Sequence, residues 1–312
     1  MTTDSASSAA EQAAAIAEHP ALQQMLSDLR ARHSDAINGV LVYGSCLRTG
    51  DIFDGLLDLY LLCSDYTKAY QSAGLTLANR LLPPNVFYVE TLYEGHTLRG
   101  KVTLISLADF SRGCSRAWFE SYLWGRFAQP TLVAWCCDAA TEAAIEESLN
   151  TAANTLLERS LPLLPANGSV LSLWQAALAL SYGTELRTER SGRAQELVQA
   201  NAAYYQATAQ AHSGSLSFPF QVYDDRYDCT VPVGRRKLAV LAWALRRVQG
   251  KLLSVLRLVK ALYTFEGGLD YIAWKLERHS GQPVAIPDRV RQRPLIHMWG
   301  FFWGLYRRGI FK

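Results

Sequence analysis

The sequence has no long hydrophobic run and no cysteine pattern of a known kind. Its longest strictly apolar stretch, residues 238–245, is too short to cross a bilayer. The six cysteines form no Cys-x-x-Cys pair and no Cys/His ligand spacing, which argues against a zinc module or a disulfide framework and favours thiols in a reducing compartment. The N-terminal segment lacks both the cationic start and apolar core of a secretory signal and the arginine-rich pattern of a transit peptide.

The composition is that of a globular chain with an uneven charge distribution. Of the 312 residues, 49% are hydrophobic and 19% are charged, which excludes disorder as the main state. Residues 1–234 carry 15 Lys and Arg against 24 Asp and Glu, whereas residues 235–312 carry 16 against 4. The net charge of +3 therefore combines an acidic body with a basic C-terminal region, which is typical of a chain that binds an anionic surface, either phospholipid or nucleic acid.

Hydrophobic spacing predicts an α+β fold. Apolar runs predict strands at 39–43, 56–63, 86–92 and 101–107, with one helix before them and another at 67–82. Beyond residue 108, helical spacing predicts helices at 116–126, 139–160, 170–185 and 192–210, a loop at 212–234 and basic amphipathic helices at 235–279. We expect three parts: a domain with a sheet at 1–110, a helical domain at 111–211 and a basic region at 212–312.

The most informative segment joins a glycine-serine turn to an acid on the next strand. Gly44 and Ser45 end the first predicted strand, and Asp58 lies in the second, flanked by leucines. Nucleotidyl transfer needs this layout, because glycine lets the backbone approach a triphosphate, serine donates to a phosphate oxygen, and a carboxylate on the neighbouring strand holds Mg²⁺. A second acid usually follows two residues later, but that position is Tyr60. A turn glycine with a capping aspartate is the alternative interpretation, and the missing Gly-x-Ser-x-Gly pattern disfavours a serine hydrolase.

Six segments, in order, resemble the mitochondrial-type phosphatidate cytidylyltransferases, which are peripheral CDP-diacylglycerol synthases. They are Tyr43-Gly44-Ser45, Leu57-Asp58-Leu59, Val86-Phe87-Tyr88, Leu98–Val102, Tyr122–Pro130 and Leu180–Arg187. The chain departs from the family at residues 89–90, where an Asn is replaced, at Gln129 in place of Lys, and at Thr184-Glu185 in place of Gly-Asp. The resemblance spans residues 38–205 and implies a nucleotidyltransferase-type mixed sheet followed by a winged-helix-like helical domain.

The resemblance also implies a reaction, in which CTP and phosphatidic acid give CDP-diacylglycerol and pyrophosphate. On this hypothesis Asp58 is a Mg²⁺ ligand, Glu185 is a second metal ligand or orients one, and Lys101 supplies a catalytic cation. The predicted substrate-binding residues are Gly44, Ser45, Tyr43, Arg126, Arg187 and Tyr182. The alternative interpretations are surface salt bridges for the cations, a helix-end acid for Glu185, and core or wall positions for the two tyrosines.

The C-terminal segment combines aromatic residues with cations, as segments in the headgroup region of an anionic bilayer do. The predicted membrane contacts are Trp299, Phe301, Phe302, Trp303, Tyr306, Arg307 and Arg308. We therefore expect a peripheral protein at the cytoplasmic face of the inner membrane. A nucleic-acid partner is disfavoured because the aromatics cluster at the terminus instead of along a groove. Folding of these aromatics back onto the body is the alternative.

Two other functions stay open at the level of sequence. One is a nucleotidyltransferase that uses a different acceptor, such as a small molecule or an RNA end. The other is a non-catalytic, membrane-associated scaffold with a degenerate nucleotide-binding fold, for which Tyr60 in place of an acid is the main support. Base preference, acyl-chain preference and oligomeric state are also left open.

Overall fold

The first part of the chain folds into a five-stranded sheet. The computed structural model describes residues 11–186, 192–264, 268–280, 284, 286–292, 297, 300, 303 and 304. The strands, in spatial order β3-β4-β2-β1-β5, are β1 (Ile37–Tyr43), β2 (Leu57–Cys63), β3 (Asn85–Tyr93), β4 (His96–Ser106) and β5 (Thr131–Cys136). Strands β2 and β4 are parallel and the other neighbours are antiparallel, so the sheet is mixed. The predicted α+β class and the four predicted strands are confirmed.

Strand β5 is a strand that the sequence did not predict. It lies at the sheet edge, antiparallel to β1, with Leu132 opposite Val42. All six of its residues are half-buried, so polar and apolar side chains do not alternate along it. An apolar run without alternation cannot be distinguished from a buried helical segment by periodicity. The prediction that the chain becomes helical after residue 108 is therefore wrong for this segment.

Helices account for most of the rest of the described chain. A helix over residues 11–18 comes first, and it is followed by α1 (Pro20–Arg32), α2 (Cys46–Thr49), α3 (Tyr66–Ala69), α4 (Ala73–Leu81), α5 (Leu107–Cys114), α6 (Trp124–Phe127), α7 (Ala139–Ser160), α8 (Val170–Tyr182), α9 (Arg193–Ala200), α10 (Ala202–Ala211), α11 (Val233–Thr264), α12 (Gly268–Ser280) and α13 (Asp288–Gln292). The predicted helix 116–126 is wrong, since only its last residues are helical and 115–123 form turns. Contacts such as that of Glu120 with Arg257 fix this segment outside a helix.

A second, small sheet belongs to the helical part of the chain. Strands β6 (Asn167–Ser169), β7 (Phe220–Tyr223) and β8 (Arg226–Cys229) are antiparallel, in the order β6-β8-β7. The loop predicted at 212–234 is therefore wrong over the hairpin β7–β8. This sheet joins residues on both sides of the boundary expected at 211, and the division into three domains remains a prediction.

The two faces of the large sheet meet different partners. Because side chains alternate along a strand, Val40 and Val42 pack with α1 in one core, whereas Leu41 packs with the helical part in another. Tyr60 also lies in the second core. Asp58, two residues before Tyr60, therefore projects from the face that meets the helical part of the chain.

The long helix α11 contacts both parts of the chain. Trp243 is 1% exposed, and its Nε1 donates to the carbonyl of Arg159 at 2.8 Å. Gly250 lies so close to the helical part that a Cβ there would be 2.5 Å from the carbonyl oxygen of Thr184. Farther along, Arg257 donates to the carbonyl of Pro83 at 3.2 Å, next to β3. The predicted basic helices are confirmed in α11 and α12, and no helix among the described residues has the length and apolar character to cross a membrane.

Candidate active site

The glycine-serine turn and Asp58 lie against each other at the end of the sheet. Tyr43, the last residue of β1, is paired with Asp58 on β2, and Gly44 follows with φ +99°. A Cβ placed on Gly44 would lie 3.1 Å from Asp58 Oδ2. Glycine is therefore required here both by its backbone angle and by the closeness of the carboxylate. The Asp58 side chain faces the turn, as the sequence motif predicts, and Gly44 and Ser45 are exposed.

Lys101 is the third member of this row. The parallel pairing of β2 with β4 places Lys101 directly beside Asp58, and Lys101 Nζ lies 3.7 Å from Asp58 Oδ1. Their side chains are 36% and 30% exposed, so the ion pair contributes little to stability and both groups can be reached from solvent. The row of Gly44, Asp58 and Lys101 therefore presents exposed backbone, one carboxylate and one cation at the same end of the sheet.

Next to this row lies a buried group that we call the charge cluster, formed by Glu120, Tyr122, Arg126, Glu185 and Arg257. Arg126 is 7% exposed; it donates to the Tyr60 hydroxyl at 3.2 Å and to Glu185 Oε2 at 3.4 Å. Burial disfavours its charge, but Tyr122, Tyr60, Tyr43 and Glu185 together keep the pKa of Arg126 above its usual value. The guanidinium is therefore held charged where the sheet meets the helical part, a region that we call the cleft.

The Tyr122 ring lies between two guanidinium groups of the cluster. The Cζ atoms of Arg126 and Arg257 are 4.1 and 4.2 Å from its centroid. Burial raises the pKa of Tyr122, but Arg126, Arg257 and Lys101 outweigh burial and lower it. Burial and Tyr122 raise the pKa of Tyr60. Because the charge of Lys101 lowers the pKa of Tyr122, the row and the charge cluster interact electrostatically.

Arg257 and Glu120 were not singled out from the sequence. Arg257 Nη2 donates to Glu120 Oε2 at 2.7 Å, and Nη1 donates to Oε1 at 2.5 Å. The two residues are 137 positions apart, so no local pattern joins them. Tyr122 was quoted only as part of a family segment, and because it lies in a turn before α6, helical spacing does not explain its contact with Arg126.

The other predicted site residues are placed as follows. Tyr182 donates its hydroxyl to Gln129 Oε1 at 3.0 Å, which fits the alternative of a core or wall position. Glu185 is 11% exposed and forms an ion pair with Arg126. Arg187 lies outside the described residues, as do the predicted membrane contacts except Trp303, which is exposed. The chemical roles of all these residues stay predictions.

The arrangement around Asp58 fits one protein carboxylate for a magnesium ion. Mg²⁺ in nucleotide sites is commonly held by one or two carboxylates, with substrate phosphates and water completing its shell. Asp58 has this position beside the turn, whereas Glu185 is engaged by Arg126. Over the ranges that the structure describes, no three His, Cys, Asp or Glu side chains gather into a metal-binding group.

Comparison with known proteins adds little to this geometry. No protein-family model matches the chain, and no curated protein matches it. Among solved structures it is similar to a nucleotidyltransferase-like protein from Exiguobacterium sibiricum, with a TM-score of 0.26 and 10% identity, over 93% of this chain and 91% of that one. So low a TM-score and identity leave the activity undetermined, and the chemistry of the cleft decides which function to propose.

Proposed function

We propose that the cleft binds a nucleoside triphosphate and transfers its nucleotidyl group. The single observation that carries this proposal is the contact of Asp58 with the glycine turn, with Lys101 beside it. A triphosphate needs backbone that it can approach closely, cations for its oxygens and a carboxylate for its metal. The exposed row offers all three, and the charged Arg126 lies behind it.

The finer proposal is that CTP is the donor and phosphatidic acid the acceptor. A phosphate oxygen of the lipid forms a bond to the α-phosphorus of CTP, the bond to the β-phosphate breaks, and pyrophosphate leaves with the electron pair. The ordered family segments and the basic C-terminal region support this choice of substrates. It would act as a peripheral protein on the cytoplasmic face of the inner membrane.

The chain's own residues perform positioning and charge stabilisation in this proposal. Gly44 leaves room for the phosphates, and Ser45 donates to a phosphate oxygen. Lys101 acts as a point charge on the oxygens that gain charge in the transition state, and Arg126 holds the inner wall positive. When bound through Asp58, Mg²⁺ neutralises charge on the phosphate oxygens.

A second candidate function is a nucleotide-binding scaffold without turnover. Two observations favour it: Tyr60 occupies the position of the usual second acid, and Arg126 engages Glu185. A third candidate keeps the transfer chemistry but uses another acceptor. The same cleft serves all three functions, so substrates and products separate them.

The decisive experiment incubates the purified full-length protein with labelled CTP, phosphatidic acid and Mg²⁺. CDP-diacylglycerol and pyrophosphate should form, and Asp58→Asn should reduce the rate by about a hundredfold or more. Asp228→Asn is the matched control, since Asp228 is an exposed acid of the small sheet and should leave the rate unchanged.

Each other result selects a different function. If product forms only with another acceptor or nucleotide, the proposed substrates are wrong but the proposed transfer reaction stands. CTP binding without product from any acceptor supports the scaffold. An Asp58→Asn enzyme as active as the wild type contradicts the proposal, because the carboxylate at the turn would then have no part in the chemistry.

A further inference from the structure

The outward face of α11 carries a continuous apolar stripe. Its members recur at alternating steps of three and four residues, so they lie along one side of the helix: Leu238, Leu241, Leu245, Val248, Leu252 and Val255. All six are exposed, with Val248 at 70% and Leu238 at 68%. The stripe continues through Val259 to Tyr263, over a length of about 38 Å at the helical rise per residue.

The opposite face of α11 is packed against the rest of the protein. Trp243 and Arg246 are each 1% exposed, Gly250 touches the helical part, and Arg257 binds Glu120. The stripe therefore lies on the side of α11 that the fold leaves exposed. Contiguous exposed apolar surface of this extent marks a docking surface.

The charges around the stripe indicate what binds there. Helix α11 contains eight Lys and Arg and no Asp or Glu. Lys237, Arg247 and Lys251 are exposed and flank the stripe. An apolar centre flanked by cations, on a helix without any acid, is complementary to a surface with an apolar interior and anionic headgroups. It offers no hydrogen-bond donors at its centre for nucleic-acid bases.

A second copy of the chain fits this surface less well. The steps of three and four residues also suit a two-helix coil, in which Lys237 and Lys251 would take flanking positions that face the partner helix. Two such helices would form no salt bridge at these flanking positions, because α11 has no acid to pair with the lysines. Pairing of two copies therefore lacks the charge complementarity that an anionic surface supplies.

We infer that the outer face of α11 docks on an anionic lipid bilayer and lies in the plane of its headgroups. This surface is distinct from the aromatic C-terminal segment predicted from the sequence. It also does not depend on the proposed reaction, since docking is measured without nucleotide. The proposal assigns a role to the outer face of α11, which contributes no residue to the row or to the charge cluster.

The test is sedimentation of the full-length protein with vesicles, without nucleotide. One set contains phosphatidylcholine alone, and the other contains equal parts of phosphatidylcholine and phosphatidylglycerol. The protein should sediment with the anionic set, and added salt should weaken this binding. The triple variant Leu241→Ser/Leu245→Ser/Leu252→Ser should lose it by at least about tenfold, because three exposed apolar groups no longer enter the interface.

Matched controls separate docking from general surface effects. The variant Leu77→Ser/Leu81→Ser/Leu92→Ser removes three leucines that are similarly exposed on the sheet side, and it should bind as the wild type does. Lys237→Gln and Lys251→Gln should each lower binding about fivefold. Lys68→Gln and Arg226→Gln remove exposed cations elsewhere and should not change it.

Three results would overturn the inference. The first is wild-type binding by the leucine variant of α11. The second is complete loss of binding when residues 298–312 are deleted while α11 is intact, which would assign docking to the tail alone. The third is a wild-type protein that does not bind vesicles and is a dimer in sedimentation equilibrium, whereas the leucine variant is a monomer.

Failure of docking and failure of the proposed reaction are distinguishable. Nucleotidyl transfer to a dispersed short-chain phosphatidic acid should persist in the leucine variant.

Discussion

Two arginines on the inner face of α11 are buried in opposite surroundings. Arg257 forms two hydrogen bonds with the carboxylate of Glu120. Arg246 has no such acid: its Cζ lies 4.5 and 4.7 Å from the ring centroids of Phe119 and Trp243, and its Nε donates to the Phe119 carbonyl at 2.6 Å. Its Nη atoms have no hydrogen-bond partner among the residues that the structure describes. Arg257 is therefore part of the charge cluster, whereas Arg246 serves the packing of α11 against aromatic rings.

The largest expected effect follows from breaking the Arg257 pair. In Arg257→Ala, Glu120, which is 3% exposed, keeps a carboxylate without its cation. Leaving a buried charge unpaired typically costs about 3–5 kcal/mol. Urea unfolding should therefore give a free energy of unfolding lower by about that amount. Arg247→Ala, an exposed arginine of the same helix, should change it by less than about 0.5 kcal/mol; equal losses in the two variants would contradict the assigned role of Glu120.

Arg246→Met should have a smaller effect, and this difference is the sharpest test of the comparison. Methionine fills a similar space among the aromatic rings and leaves no carboxylate unpaired. It removes a cation–π contact and one hydrogen bond but also removes a buried charge, and such replacements are often neutral. The free energy of unfolding should change by about 1 kcal/mol or less. If the free energy of unfolding falls as much as in Arg257→Ala, the aromatic rings stabilise the buried charge as strongly as a carboxylate does.

The smallest effect concerns the titration of Tyr122. Its pKa is lowered by Arg126, Arg257 and Lys101 against the opposing effect of burial. Lys101→Gln removes one of these cations, so the pKa of Tyr122 should rise. The tyrosinate absorbance followed against pH measures this, with Tyr122→Phe to identify the signal. Lys251→Gln removes an exposed cation on the outer face of α11 and should not shift it.

The same titration has a defined effect on stability. Because the pKa of Tyr122 is lower in the folded chain than in the unfolded chain, its ionisation adds stability as pH rises through the folded value. That gain is complete above the ordinary tyrosine pKa and is lost as pH falls through the folded value. In Lys101→Gln the gain should be smaller, whereas an unchanged pH profile would mean that Lys101 does not act on the cluster.

The exposed row was predictable from sequence, and the buried cluster was not. Gly44 and Asp58 belong to a strand, a turn and the next strand, so a local pattern places them together. Lys101 was predicted from the family resemblance, but the parallel pairing of β2 with β4 that places it beside Asp58 was not predicted. Arg257 and Glu120 meet only through the docking of α11, and a distant pair of charges leaves no local signal.

Predictions of the fold failed where tertiary contacts override local pattern. Strand β5 has no alternation because both of its faces are half-buried, and residues 115–123 have helical spacing but are fixed in turns. The hairpin β7–β8 lies in a stretch with the composition of a loop. By contrast, α7 and α8 matched their predicted ranges closely, because long amphipathic periodicity is a strong signal.

The continuity of α11 has a consequence for motion between the two parts of the chain. One end of the helix is fixed to the helical part through Trp243, and the other is fixed beside β3 through Arg257 and Lys260, whose Nζ donates to the carbonyl of Pro84 at 2.6 Å. A hinge between the two parts would have to kink an unbroken helix, which contains no proline and whose glycine between the two anchors, Gly250, is packed against Thr184. The helix therefore resists hinge motion between the sheet and the helical part of the chain.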